Sequence, residues 1–219
     1  MKGVRGMGRC IIVAPLYRGE ERAWLTPGAG DLLLCADGGY EAARAAGLTP
    51  DLTIGDFDSM PRERVAGPVV TLPTHKDDTD LVACLSAGRA RGYRSFRLAG
   101  CVGGRLDHTL AAVQCLADCA LRGEEAWMAD AGSRMTILSP GEYTVERLPG
   151  RKLSLLAFSE EVRGVDVHGT EWELDGATLT SRYPLGISNE FRGDAAHIAL
   201  REGLLMLLLS RDGGWTGSG

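Results

Sequence analysis

Aspartate is concentrated in one part of this chain. Eight of its fifteen aspartates lie between residues 31 and 80, a stretch that holds only two glutamates. Solvated faces usually mix Asp with Glu and Lys, so an excess of the shorter carboxylate points to a magnesium or phosphate site. The sharpest cluster is Ile54-Gly55-Asp56-Phe57-Asp58-Ser59. Read as an extended segment, it turns residues two apart the same way, so Asp56 and Asp58 face one locus. Two carboxylates that close repel unless a cation lies between them or one takes a proton. Mg²⁺ suits such a place, because it takes one or two carboxylates, several waters and phosphate oxygens.

Three further segments carry the same chemistry. Ala36-Asp37-Gly38-Gly39 ends a predicted strand and opens a helix. Asp37 either caps that helix or belongs to a phosphate site in which Gly38 and Gly39 let the ligand approach the backbone. Lys76-Asp77-Asp78-Thr79-Asp80 opens the next helix, where Asp77 and Asp80, three apart, meet on one side of the first turn. Lys76 is one of three lysines against 21 arginines, and it suggests a phosphate contact. Gly103-Gly104-Arg105-Leu106-Asp107-His108 follows a strand and precedes a helix, so paired glycines and the Arg105 fork suit an anion. His108 reads as packing or capping.

Later in the chain, Trp172 and the Ser188-Asn189 pair suit a flat heteroaromatic ligand, through stacking and hydrogen bonding. These features together imply a Mg-dependent enzyme acting on a phosphorylated nucleotide. A P-loop GxxxxGK[ST] is absent, and Gly6-Met7-Gly8 lacks the third glycine of the dinucleotide fingerprint. An aspartyl-phosphate phosphatase also opens with Asp-x-Asp after a strand, but it needs its Lys and acidic pair well downstream, and the 76–80 cluster comes too soon.

The elements that must position these residues fall into two textures. Through about residue 140, short apolar runs (10–13, 32–36, 52–54, 69–72, 96–99, 126–129) alternate with helical patterns at 40–46, 79–91 and 109–122. That alternation predicts a mainly parallel α/β sheet. From residue 141 the runs at 143–147, 153–158, 165–168, 178–181 and 197–200 are short and β-rich. They predict a small antiparallel sandwich or barrel, closed by a strand near 204–209. The expected organisation is an α/β catalytic domain at 1–140, a β domain at 141–211 and a flexible tail at 212–219.

Composition bounds the partners. The chain has 219 residues, 44% hydrophobic and 24% charged, with a formal net charge of −5. These are globular values, and the acidic balance argues against holding nucleic acid by bulk charge. No run reaches the roughly 18 apolar residues of a membrane span, and the N-terminus shows no apolar core of a signal peptide. Six cysteines without a CxxC pair read as buried free thiols, consistent with a cytoplasmic protein.

Taken in order, the motifs resemble those of the thiamine pyrophosphokinase family. The resemblance runs through ADGG at 36–39, PDLTIGDFDS at 50–59, KDDTDL at 76–81, GGRLDH at 103–108, GTEWEL at 169–174 and LGISNEF at 185–191. It implies transfer of the pyrophosphoryl group of ATP to the hydroxyl of thiamine, giving thiamine diphosphate and AMP. It also implies a homodimer with the active site between subunits. By motif, Asp56, Asp58 and Asp77 would hold Mg²⁺ and Asp80 would complete the acidic site. Asp37, Gly38, Gly39, Lys76, Arg105 and Asp107 would address ATP. Trp172 would stack on the pyrimidine of thiamine, with Ser188 and Asn189 hydrogen-bonding it. Two departures stand out: Ser181-Arg182-Tyr183-Pro184 replaces a small-residue stretch, and Thr170 stands where relatives tend to carry an aliphatic residue.

Overall fold

The computed structural model describes residues 8–58, 60–73, 79–130 and 132–211. The chain divides into two compact units, the first ending at Ala131 and the second starting in earnest at Gly132. The sequence places the boundary at 140/141, nine residues later, because the strand Ser133–Leu138 is not legible as one.

The first unit is the expected α/β domain. Its strands are β1 (Cys10–Val13), β2 (Leu32–Ala36), β3 (Leu52–Gly55), β4 (Val69–Thr71), β5 (Ser95–Ala99) and β6 (Glu125–Ala129). They run β6-β5-β1-β2-β3-β4, each pair parallel. Every residue of β1 and β3 is buried, which is why these strands read as continuous apolar runs without alternation. The connecting helices are α1 (Arg22–Leu25), α2 (Gly39–Ala45), α3 (Asp80–Ala90) and α4 (Leu106–Leu121). The order reverses between β1 and β5, so the loops after those two strands flank the topological switch point. There Ala14 N–H donates to Ala99 O at 2.8 Å and Leu16 N–H to Gly100 O at 3.2 Å.

The second unit is the expected antiparallel β domain. It contains β7 (Ser133–Leu138), β8 (Gly141–Glu146), β9 (Arg151–Ala157), β10 (Glu161–His168), β11 (Leu174–Thr180), β12 (Gly186–Asn189), β13 (Ala195–Leu200) and β14 (Leu205–Arg211). The strands β12-β9-β14-β7 run in one order and β11-β10-β13-β8 in another, with antiparallel pairs in both. Burial alternates along β9, β13 and β14, so one face of each strand supplies the core. The run near 204–209 is a strand, as its position predicts. The tail 212–219 lies outside the described residues. Among those described, no helix is long and apolar enough to cross a membrane.

Candidate active site

Asp37 and Asp56 mark the C-terminal ends of neighbouring strands β2 and β3, the side of a parallel sheet where ligands bind. Asp37 is 7% exposed and sits at φ 43°, a left-handed conformation rare for a non-glycine residue. Its N–H donates to Ile54 O at 2.9 Å, which ties it to the end of β3. The N-cap of α2 is Gly38, the residue after Asp37. Gly39 answers to packing: a β-carbon there would come within 2.1 Å of Val13 O. A side chain at 39 would force α2 off β1, so this glycine needs no phosphate to explain it.

The segment after β3 is not extended. The strand stops at Gly55, and Phe57 adopts φ 58°. The turn makes Asp56 Oδ1 accept the N–H of Asp58 at 3.3 Å. The two-residue alternation expected for Asp56 and Asp58 therefore does not apply, because a left-handed residue reverses the chain between them. Phe57 lies half-buried against the first unit's core, which anchors the turn. Asp56 is half-buried and Asp58 exposed.

Thr79 caps α3 by accepting the N–H of Val82 at 3.3 Å, and Asp80 is the first helical residue. The expected meeting of Asp77 with Asp80 falls outside the described residues. Lys76, Asp77 and Asp78 lie outside the described residues. Among the described residues, no group of three or more His, Cys, Asp or Glu could by itself hold a metal ion. The donors present still fit Mg²⁺: they are hard carboxylate oxygens, one pair sits in a tight turn, and Mg²⁺ completes its shell with water and phosphate.

The loop after β5 carries Gly103 and Gly104 at φ 101° and 61°. Thr109 Oγ1 accepts the N–H of Gly103 at 3.2 Å and so staples the loop to α4. The Arg105 fork is already engaged with Asp107, through Nε at 3.1 Å and Nη2 at 2.5 Å. That guanidinium holds the Asp107 carboxyl below its ordinary value. A phosphate meeting Arg105 must therefore compete with Asp107. Beside α2 lies an open cavity of about 480 Å³, bounded by Pro15, Tyr17, Arg18, Gly38, Glu41 and Met60 among others. Its volume suits a small-molecule group.

In the second unit, Trp172 is 60% exposed, which excludes a core role. Its turn is nevertheless tightly held. Glu171 N–H donates to Glu190 O at 2.8 Å, and Arg192 N–H donates to Gly169 O at 3.0 Å. Gly169 N–H donates to Glu173 Oε1 at 2.8 Å. That bond comes first among the causes keeping the Glu173 carboxyl below its usual range, with His168 adding to it.

Ser188 is exposed and sits at φ 62°, with its N–H donating to Ser154 Oγ at 3.0 Å. Asn189, by contrast, is buried, and its amide is fully engaged within the chain. Nδ2 donates to Thr170 Oγ1 (3.1 Å) and to Trp172 O (2.7 Å), while Oδ1 accepts from Trp172 N (3.1 Å) and Glu190 N (2.9 Å). Sequence reasoning did not single out Glu173 or Ser154. A Glu four residues after a turn glycine was the available signal for the first; Ser154, on a neighbouring strand, gave none.

Residues 28–128 match the family model "Thiamin pyrophosphokinase, catalytic domain", and residues 142–205 match "Thiamin pyrophosphokinase, vitamin B1 binding domain". The first match falls within the parallel α/β unit and the second within the antiparallel unit, so the class is a two-domain phosphate-transferring enzyme. The chain belongs to the thiamine pyrophosphokinase family. It is 27% identical over 188 residues to a thiamine pyrophosphokinase of Bacillus subtilis, covering 83% of this chain and 88% of that one. The crystal structure of thiamine pyrophosphokinase from Bacillus subtilis superposes with a TM-score of 0.84 at 26% identity, covering 94% of this chain and 100% of the other. That from Geobacillus thermodenitrificans gives 0.83 at 28% identity, covering 94% and 99%.

Proposed function

We propose that the first unit binds MgATP at the ends of β2 and β3 and that the second unit binds thiamine at Trp172. The reaction is the family's own: ATP and thiamine give thiamine diphosphate and AMP. The observation that carries the site assignment is the succession of Asp37, Asp56 and Asp58 at the C-terminal ends of two adjacent parallel strands.

Asp56, Asp58 and Asp77 would hold Mg²⁺, which supplies charge neutralisation on the phosphates. Asp37, Gly38 and Gly39 border the phosphate region, and Arg105 and Lys76 contribute cationic contacts, with Asp107 setting the resting position of Arg105. The cavity beside α2 would accommodate the nucleoside. Phosphoryl-type transfer makes little covalent demand on the protein, so these residues work by positioning and electrostatics. The thiamine hydroxyl loses its proton late in such a reaction, so only modest proton acceptance is asked of a nearby carboxylate, and Asp77 would stand in that role. Thiamine is cationic, and the Glu173 carboxylate next to Trp172 favours its approach.

The indole of Trp172 would stack on the pyrimidine, with the Ser188 hydroxyl beside it. We read the active form as a homodimer with the active site between subunits. The exposed apolar side chains Tyr183, Leu185 and Ile187 support a protein contact. Six buried free cysteines support a reducing, cytoplasmic setting. The test is mass spectrometry of products from purified protein, MgATP and thiamine. AMP and thiamine diphosphate in equal amounts are expected; ADP with thiamine monophosphate would overturn the reaction type. Trp172→Ala should raise the thiamine KM more than the ATP KM, and equal effects on both would remove the stacking role.

A further inference from the structure

An exposed indole contributes little to the fold, yet the peptide that carries it is held by side chains at both its N–H and its C=O. The side-chain amide of Asn189 docks on both the N–H and the C=O of Trp172, at 3.1 and 2.7 Å, as a partner strand would. Thr170, fully buried, completes the arrangement. Its hydroxyl accepts from Asn189 Nδ2 at 3.1 Å and donates to Trp172 O at 3.0 Å. One hydroxyl and one amide thus close a ring through the Trp172 carbonyl, and the Asn189 amide has no capacity left over for a ligand. The same turn is bridged backbone to backbone between Thr170 and Phe191.

We propose that Thr170 and Asn189 are positioning residues for thiamine: they fix the Trp172 backbone so that its indole is a preformed stacking surface. This rests on the reading of Trp172 as the thiamine platform. It gives Asn189 a different task from direct contact with the pyrimidine, and it gives Thr170 a task that an aliphatic residue at 170 could not perform. Holding the loop before binding removes the ordering cost that a mobile loop would impose on each binding event. The effect belongs in thiamine affinity, since no bond in the ring reaches the nucleotide-binding unit.

The test uses Thr170→Val, which keeps the shape and removes the hydroxyl, with Thr170→Ser as the conservative variant. Steady-state kinetics are read as separate KM values for thiamine and ATP, with a thermal melt for each variant. Thr170→Val should raise the thiamine KM about fivefold to tenfold, leave the ATP KM near that of the parent, and lower the melt by roughly 2–4 °C, the scale of one lost buried hydrogen bond. Thr170→Ser should restore thiamine KM. In a Trp172→Ala background, Thr170→Val should add nothing, because its route of action is gone. Additive effects in that background would overturn the proposal, as would an unchanged thiamine KM in Thr170→Val. A fall in the melt with both KM values raised together would also overturn it, by assigning Thr170 to the fold alone. If Trp172→Ala itself leaves thiamine KM unchanged, the platform reading fails first and the positioning role with it; a raised KM in Trp172→Ala beside an unchanged one in Thr170→Val sinks only the positioning role.

Discussion

Gly55 and Asp37 meet across the ends of β3 and β2: a β-carbon on Gly55 would lie 2.9 Å from both Cα and Cβ of Asp37 and 3.0 Å from its Oδ1. Real β-carbons do not come that close to backbone, so any side chain at 55 must push Asp37 away. Asp37 is already in a left-handed conformation and its N–H is bonded to Ile54 O, so the displacement has no soft route. Gly55→Ala should therefore cost about 1–3 kcal/mol, as overpacking does. That corresponds to a melt lowered by roughly 2–4 °C per kcal/mol for a chain of this size. Turnover should fall alongside stability, since the displaced residue borders the phosphate region. Gly193→Ala, where an added methyl meets nothing within 4 Å, is the control and should melt normally. Equal melts for the two variants would show that the β2–β3 edge is slack.

Asp56→Asn separates charge from shape. The amide oxygen can still accept the Asp58 N–H that Asp56 Oδ1 accepts at 3.3 Å, so the turn should survive. What disappears is the negative charge that would hold Mg²⁺. The turnover number should drop at least about a hundredfold, the scale for losing one electrostatic contact to a reacting centre, while circular dichroism and the melt stay unchanged. Initial rates across a Mg²⁺ titration provide the measurement. Near-parental rates at every Mg²⁺ concentration would remove Asp56 from the metal site.

Much of this architecture was legible because buried parallel strands announce themselves. β1 and β2 appear in the sequence with the bounds the structure gives, Cys10–Val13 and Leu32–Ala36. β7 and β12 did not. β7 opens on polar Ser133-Arg134 and buries only its second half, so it shows neither alternation nor a continuous apolar run. β12 is four residues of Gly, Ile, Ser and Asn with a register shift against β9; its strand state comes from its neighbour, not its propensity. At the candidate site, residue types were readable but directions were not. The turn after Gly55 depends on Phe57 taking a left-handed conformation that its side chain disfavours, and no pattern signals that. Likewise, nothing in Ser-Asn says that the Asn amide will be consumed by the backbone of a residue 17 positions earlier.

Thiol chemistry tests the first unit's interior. All six cysteines are buried and free. Burial pushes the thiols of Cys10, Cys101 and Cys119 up to about 12, and raises those of Cys35 and Cys84 well above the ordinary thiol value too. Since the thiolate is the reactive form, neither access nor ionisation favours reaction near pH 8. Ellman's reagent should release next to no chromophore from native protein over the time in which urea-unfolded protein yields six equivalents. Rapid release of one or more equivalents from the native state would mean that the strands or helices carrying those thiols open readily.

Glu173 gives the Trp172 turn a dependence on pH. Its Oε1 accepts the Gly169 N–H at 2.8 Å, and His168 Nδ1 stands 3.7 Å from Oε2. Both favour the carboxylate, so the folded pKa lies below the ordinary glutamate value of 4.5. A depressed carboxyl pKa adds stability that is complete above the unfolded value and is lost as pH falls through the folded one. The turn should thus stay closed at neutral pH and loosen only in acid. Carboxyl-carbon NMR of Glu173 should show a midpoint below 4.5, and thiamine affinity should fall over the same acid range. Glu173→Gln should remove that limb from the affinity profile, because its amide does not titrate. A midpoint at or above 4.5 would mean that the Gly169 contact is too weak to hold the loop beneath Trp172.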